Sequence, residues 1–360
     1  MKRSVAMLAL FVLPLLAQRQ NFTINVGTPE GQQLQAIGQE TDDAKKVALM
    51  EDFLSKYPKH EGAPWVAGQL EQTYLQQKQF DKALDAADKA YTGGPNEVDL
   101  CYNAIKAAEG KGDAEQVRKW AERAAETAQK VTGKAPANDD EKADLEHAKE
   151  VATYAEYAVY AAASKSREPK EIAGLGEALE KINPKSQYMW LITPRYLASL
   201  GGRGCTEATK LASADSKNAE ALLFAADCDW RGNRAAAVTT NANRAREALS
   251  SRPKVEGGNE AARMGEVDFF LGVGDAMQQR WGPAIKSLKA SLPSLKGGIY
   301  EATALFDLGL ANYQFGKSIG DKGQIREGLR YFQECAAMKS NMQDQAARNV
   351  VAIKKELGLP

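Results

Sequence analysis

Two glycine-containing segments carry residue types that bind nucleotides, but neither has the spacing that this chemistry needs. GLANYQFGKS ends in Gly316-Lys317-Ser318, the ending of a phosphate-binding loop, yet Ala311 stands where that loop needs its first glycine. GVGDAM begins like a dinucleotide-binding fingerprint, with Met277 at the position of the third glycine. Both motifs also require a preceding β-strand, whereas these segments lie in helical patterns. We therefore expect a helix end near Gly316 and no nucleotide cofactor.

Histidine, cysteine and serine patterns give no nucleophilic or metal-binding site. His60 and His147 are the two histidines, and neither belongs to an H-E-x-x-H motif. Four cysteines occur outside any C-x-x-C pair, so neither a zinc site nor a redox motif is indicated. No G-x-S-x-G elbow is present, and no pair stands out among the many carboxylates. The sequence predicts no catalytic residue, cofactor or metal; an envelope or secreted enzyme, such as a glycan hydrolase on an all-α scaffold, is the alternative.

Composition and charge limit the kinds of partner that the chain can bind. The chain has 360 residues, of which 44% are hydrophobic, and 47 basic residues balance 47 acidic ones. Such a chain can bury a large core, and it lacks the excess positive charge with which proteins neutralise a phosphate backbone. Lysines and arginines are scattered among glutamates and aspartates, which is typical of solvated helix faces. We expect no nucleic-acid partner.

The N-terminus has the three parts of a secretory signal peptide. Lys2 and Arg3 precede an apolar run from Val5 to Leu16, and Ala17 offers a cleavage site. The run is shorter than the roughly 20 residues of a membrane span, and no cysteine follows it to accept a lipid. We predict a signal peptide at 1–17, a flexible mature N-terminus at 18–29, a periplasmic or secreted location, and no stable membrane insertion after cleavage.

Periodicity over the rest of the chain predicts an all-α fold. Alanine-rich helical patterns of about a dozen residues recur, and short breaks rich in Gly, Pro and Asn separate them, for example TGGPNE, EGKGDA, INPKS and WRGNR. The breaks have a period near 34 residues: a shift of that length carries Ala83 and Ala90 onto Val117 and Ala124. Repeats of this length are typical of stacked helix-turn-helix units.

One unit resembles the tetratricopeptide repeat (TPR). The matching residues are Leu70, Tyr74, Phe80, Asp81, Ala83, Ala90 and Pro95. Glu71 stands where that pattern usually has Gly, and Ala87 where it has a larger residue. Leu271-Gly272 and Leu308-Gly309 begin two further, more degenerate units. The segment FLSKYPKHEGAP also resembles repeats of bacterial cell-envelope assembly proteins.

The resemblance implies a right-handed α-solenoid of about seven to eight antiparallel helix pairs with a C-terminal capping helix. Its helix pairs are expected at 30–60, 63–95, 97–130, 139–184, 187–216, 218–251, 260–294 and 298–339, and its capping helix at 342–357. A Pro/Gly/Asn linker at 131–138 is expected to separate an N-terminal TPR-like block, 30–130, from a C-terminal one, 139–357; a single continuous superhelix is the alternative. A helix about 40 Å long, from Asp139 to near Ser166, follows this linker, with Asn138 or Asp139 as its cap.

The TPR register also assigns a partner-binding surface. Side chains of the first helices that point away from their neighbours line the concave face, and the register places eight residues there: Gln72, Tyr102, Lys106, Tyr157, Arg195, Phe269, Phe306 and Tyr313. Aromatic residues and Arg are frequent at binding hot spots, so this face suits a protein or peptide partner. The alternative is that these rings pack between helices. The resemblance therefore implies a non-enzymatic interaction scaffold of the bacterial cell envelope.

Repeat geometry brings two cysteines together. Cys205 is expected near the start of the second helix of one pair, and Cys228 near the end of the next first helix. Those ends adjoin, and in an oxidising compartment a disulfide between them closes a loop that stabilises by roughly 3 kcal/mol in the chain-entropy model. Two buried free thiols are the alternative.

Export is testable directly. Because the charged start, apolar run and Ala17 together fit cleavage by signal peptidase, the mature chain should begin near Gln18 and lie outside the cytoplasm. N-terminal sequencing of the protein recovered from cell fractions measures this. An intact chain that begins at Met1 in the cytoplasm would contradict the prediction.

Overall fold

A computed structural model describes residues 23–94, 97–253 and 259–360. These residues form seventeen α-helices and one short 3-10 helix, and none of them lies in a β-strand. The predicted all-α class is confirmed. The signal peptide at 1–17 and part of the segment 18–29 lie outside the described residues, and so does Pro95 of the TPR pattern.

The helices belong to two compact units, one ending at Ala158 and the other beginning at Val159. The first unit contains α1 (Pro29–Gln39), α2 (Asp43–Lys56), α3 (Ala63–Gln76), α4 (Phe80–Ala90), α5 (Val98–Lys111) and α6 (Ala114–Thr132). The division lies within α7 (Asp139–Lys165). The second unit contains α8 (Pro169–Ile182), α9 (Gln187–Ser199), α10 (Gly204–Ala214), α11 (Ala219–Arg231), α12 (Ala235–Ser251), α13 (Glu260–Met277), α14 (Trp281–Leu295), α15 (Glu301–Ile319), α16 (Lys322–Ala336) and α17 (Gln343–Leu357).

Consecutive helices pack in pairs, and the predicted helix spans agree closely with these bounds. The long helix after the predicted linker is present as α7, and Asn138 is its cap, because its Oδ1 accepts a hydrogen bond of 2.9 Å from the backbone N–H of Glu141. The role of 131–138 as a domain boundary stays a prediction. None of the described helices combines the length and apolarity that a membrane span needs.

The same turn joins the two helices of five pairs. In each, a residue two positions before the second helix has a positive φ between 55° and 73°; these residues are Lys78, Gly112, Asn233, Gln279 and Gly320. The next residue donates its N–H to the carbonyl five positions earlier, as from Gln79 to Tyr74 (2.8 Å) and from Asp113 to Ala108 (3.0 Å). This six-to-one bond ends the first helix and aims the chain back along it.

Close approach of paired helices depends on a small residue facing a large one. A Cβ on Gly272 of α13 would lie 2.5 Å from the Leu288 side chain of α14. A Cβ on Gly309 of α15 would likewise lie 2.8 Å from the ring of Phe332 on α16. Glycine at these positions lets the larger side chain pack directly on the first helix, so the pair closes without a void.

In the α3–α4 pair the large residue lies on the first helix and the small residue on the second. Glu71 occupies the register position of Gly272 and Gly309, while Ala87 occupies that of the large partner, and both are fully buried. Burial raises the pKa of Glu71 well above its usual range, and the nearby Asp99 carboxylate adds to the rise, against a long 3.5 Å hydrogen bond from Asn103. Oε1 of Glu71 has no hydrogen-bond partner among the described residues. This pair therefore buries a carboxyl group in its core, and the surroundings favour the neutral form of that group.

First helices also contact the first helices of neighbouring pairs. In the first unit α3 packs against α5, and in the second unit α9, α11, α13 and α15 each contact the next in that order. Each first helix in these series thus has a second helix on one side and further first helices beside it. One face of each first helix in these series lies outside these helix–helix contacts.

Glu71 makes stability depend on pH. Because its folded-state pKa is raised, the unfolded chain releases this proton at a lower pH than the folded chain does, and stability from this group falls as pH rises above about 4.3. The free energy of unfolding of the Glu71→Gln variant, relative to that of the wild-type chain, should increase by about 1.4 kcal/mol per pH unit until the pH passes the folded-state pKa of Glu71. Urea unfolding at several pH values between about 4 and 8 measures the difference. The exposed Glu115→Gln variant is the control, and parallel curves for E71Q and wild type would contradict this account.

Candidate functional site

Two residues predicted to line the partner-binding face are instead core residues. Phe269 is fully buried, with its ring stacked on Tyr300 at a centroid distance of 4.7 Å. Phe306 is also buried and packs edge-on against Phe332 at 5.3 Å. Both assignments to the binding face were wrong, because the neighbouring rings cover these side chains and leave no surface for a partner.

Two further predicted residues are engaged in joining helices. The Arg195 guanidinium donates to the carbonyls of Ala163, Ser164 and Ser166 at 2.6–3.0 Å, where it caps the C-terminal end of α7. The Tyr313 hydroxyl donates to the Glu356 carboxylate at 2.8 Å, and Lys317 pairs with the same carboxylate at 2.5 Å. These contacts hold α17 against α15. Both side chains therefore form contacts that stabilise the packing of their helices.

Three predicted residues of the first unit lie together with a fourth that sequence reasoning missed. Tyr154 of α7 is 5.0 Å from Tyr102 of α5 and 6.0 Å from Tyr157, measured between ring centroids. The Lys106 ammonium lies 4.3 Å from the Tyr154 ring centroid and 5.4 Å from that of Tyr102. We call Tyr102, Lys106, Tyr154 and Tyr157 the Tyr–Lys cluster. Gln72 is half-buried on α3, and no described contact joins it to this cluster.

The Lys106 side chain of the Tyr–Lys cluster lies against aromatic rings. Its ammonium interacts with two aromatic faces, and no carboxylate among the described residues forms an ion pair with it. The Tyr154 hydroxyl donates to the Glu109 carboxylate, and burial together with that carboxylate raises the pKa of Tyr154. Tyr157 is the most exposed ring, at 43%. An aromatic surface with one cation is the result.

A hydrogen-bonded His–Asp pair also joins α5 and α7. The imidazole Nε2 of His147 on α7 lies 2.6 Å from Oδ1 of Asp99 on α5. This hydrogen bond raises the pKa of His147, against partial burial, which lowers it. The pair anchors the N-terminal half of α7 on α5, and so fixes the helix that carries Tyr154 and Tyr157.

The second unit has a polar cleft of about 520 Å³ between α8, α9 and α10. Charged side chains dominate its lining, and among them are Glu177, Glu180, Arg203, Glu207 and Lys210. Burial raises the pKa of Glu180, against Lys210, which lowers it, and the neighbouring Glu207 carboxyl group raises it further. The Lys210 ammonium lies 2.6 Å from Glu180 and 3.2 Å from Glu207. Sequence reasoning missed this carboxyl pair because its members come from two helices.

The Lys210 ammonium therefore lies between the two carboxylates and contacts both. Among the residues that the structure describes, no group of three or more His, Cys, Asp or Glu side chains is arranged to hold a metal ion.

Cys205 and Cys228 form a disulfide in the structure. Cys205 lies in the first turn of α10 and Cys228 in the last turn of α11, with a Cα–Cα distance of 5.9 Å. These are the helix ends at which the repeat geometry placed them. Cys101 and Cys335 are free thiols in the core.

Comparisons with known proteins give no family. No family model matches the sequence, and no curated protein matches it. Among solved structures, a chain from work on the computational design of self-assembling cyclic protein homooligomers aligns over 81% of this chain and 95% of its own length. Its identity is 14% and its TM-score is 0.18, too low to support any argument about fold or function.

The disulfide predicts a distinct labelling pattern. Without reduction, the denatured chain should react with a thiol reagent at Cys101 and Cys335, because the sulfur atoms of Cys205 and Cys228 are bonded to each other. After reduction all four cysteines should react. Peptide mass spectrometry identifies the labelled residues, and four labels before reduction would show that the bond is absent.

Proposed function

We propose that this chain is a non-enzymatic scaffold that binds protein or peptide partners through the first-helix face of its TPR-like repeats. The fold proposed for each unit is a right-handed α-solenoid, with about seven to eight helix pairs along the whole chain and α17 as the cap. The turn repeated in five pairs and the contacts between successive first helices support this proposal.

One observation carries the functional part: the Tyr–Lys cluster on the first helices α5 and α7. Tyrosine rings bury a large area at low cost in side-chain entropy, and they are enriched at binding hot spots. Lys106 contacts only aromatic rings among the described residues, so its hydrogen-bonding capacity is free for a partner. An extended or helical segment with an apolar side chain over Tyr157 and an acceptor near Lys106 suits this surface.

The proposed location is the bacterial cell envelope, in the periplasm or outside the cell. The predicted signal peptide and the envelope-type repeat FLSKYPKHEGAP support it. The partners are then other exported or membrane-anchored proteins, which the scaffold brings together.

A pair of matched variants tests the function. Partners are first identified by crosslinking the tagged chain in cells of the source organism, followed by mass spectrometry. The double variant Lys106→Ala/Tyr157→Ala should then capture those partners at least about tenfold less well, because it removes the cation and the most exposed ring while Tyr102 and Tyr154 stay. Pull-down with purified partner measures the loss, and circular dichroism measures the melting temperature, which should barely change.

Lys82→Ala is the matched control. Lys82 also lies over a tyrosine ring, with its ammonium 5.1 Å from the Tyr74 centroid, but it belongs to the second helix α4. This variant should capture partners as the wild-type chain does. Equal capture by the folded double variant would overturn the assignment of the Tyr–Lys cluster as the binding surface.

A further inference from the structure

α10 is held in the second unit differently from the second helices α12, α14 and α16. The short 3-10 helix Gly201–Arg203 connects it to α9, in place of the six-to-one turn of the five regular pairs. It also packs less extensively on its partner than α12, α14 and α16 do on theirs. Its buried residues are Gly204, Ala208, Leu211 and Ala212, so only one large apolar side chain fixes it.

The two ends of α10 are fastened by different means. Beyond its C-terminal end, the buried carboxylate of Asp215 accepts a hydrogen bond of 2.6 Å from the Trp190 indole N–H. Near the same end, Arg244 of α12 donates to the Ala212 carbonyl at 3.2 Å. At the N-terminal end, the disulfide to Cys228 of α11 provides the covalent link.

The N-terminal half of α10 forms one wall of the polar cleft. Thr206, Glu207 and Lys210 line the cleft, and Thr206 and Glu207 follow Cys205 directly in the sequence. Across the cleft, the Lys210–Glu180 ion pair connects α10 to α8, but the Lys210 side chain is 62% exposed. Ion pairs this open to solvent contribute little to stability. The disulfide is thus the strongest restraint on this wall.

We propose that the Cys205–Cys228 disulfide is a redox-controlled latch that holds the N-terminal half of α10 and keeps the polar cleft narrow. Reduction releases residues 204–210 from α11, while the end of α10 near Asp215 stays in place and serves as the hinge. The cleft then widens, and Glu207 and Lys210 of α10 move away from Glu180 of α8.

The reductant is a dithiol. Its thiolate attacks the sulfur of Cys205, which is the more exposed cysteine, and the S–S bond breaks with Cys228 leaving as a thiolate that takes up a proton. The second thiol of the reductant then displaces Cys205 from the mixed disulfide. The chain gains two electrons and two protons, and the reductant becomes a disulfide.

The two remaining cysteines cannot replace this pair. Both are fully buried, and burial raises the pKa of Cys101 to about 12 and that of Cys335 to about 11. Thiols of this kind are poor nucleophiles and have no access to a partner. Exchange is therefore confined to Cys205 and Cys228.

Hydrogen exchange of the full chain before and after dithiothreitol treatment tests the latch. Amide exchange in peptides covering 204–210 should become at least about tenfold faster on reduction, because this half of the helix loses its restraint. Peptides of α14 and α16, which lie in the same unit and contain neither bonded cysteine, should keep their protection. Trypsin cleavage after Arg203 and Lys210 should accelerate in parallel.

The double variant Cys205→Ser/Cys228→Ser should show the fast exchange at 204–210 without any reductant. Unchanged exchange at 204–210 after complete reduction would overturn the proposal. An equal increase across α14 and α16 would also overturn it, since the bond would then stabilise the whole unit rather than latch one helix. Neither outcome bears on partner binding at the Tyr–Lys cluster, which lies in the first unit.

Discussion

The close approach of two paired helices is the constraint on which the rest of this structure depends. A helix pair cannot cover its own apolar face unless the axes come near enough for side chains to interlock. Gly272 and Gly309 permit this by leaving room for Leu288 and Phe332. The α3–α4 pair meets the same condition with the sizes exchanged, and the consequence is a buried carboxyl group. A large side chain still faces a small one in this pair, but the large one is a titratable residue buried in the core.

The second condition is a turn that returns the chain along the first helix. Glycine adopts the left-handed conformation that this turn needs without strain, and two of the five regular pairs have it. Lys78, Asn233 and Gln279 take the same conformation, which is less favourable for residues that carry a Cβ. Packing of the two helices therefore maintains these turns. This also explains why a search for Gly and Pro alone finds the breaks but not the position of the turning residue.

Sequence periodicity predicted helix existence, order and bounds well because those depend on local spacing and on the breaks between helices. The direction of individual side chains was harder to predict. Tyr102, Lys106 and Tyr157 lie together, while Phe269 and Phe306 are buried, because Tyr300 and Phe332 cover them from other segments. An error of one residue in register turns a helical side chain by about 100°, and loops of unequal length shift the register after residue 131. Tyr154, three residues before Tyr157, was visible only as a repeated spacing in TYAEYAVY.

The irregular α9–α10 pair is where features other than regular helix packing occur. α10 has few large buried residues and no six-to-one turn, and both the disulfide and the polar cleft occur there. These features have one cause: a helix that packs thinly leaves space beside it, and that space is filled by charged groups that tolerate water. A covalent bond at the N-terminal end then replaces the missing apolar contacts. Because α10 packs thinly, its N-terminal half depends on the disulfide to stay in place, and reduction of that bond removes the restraint.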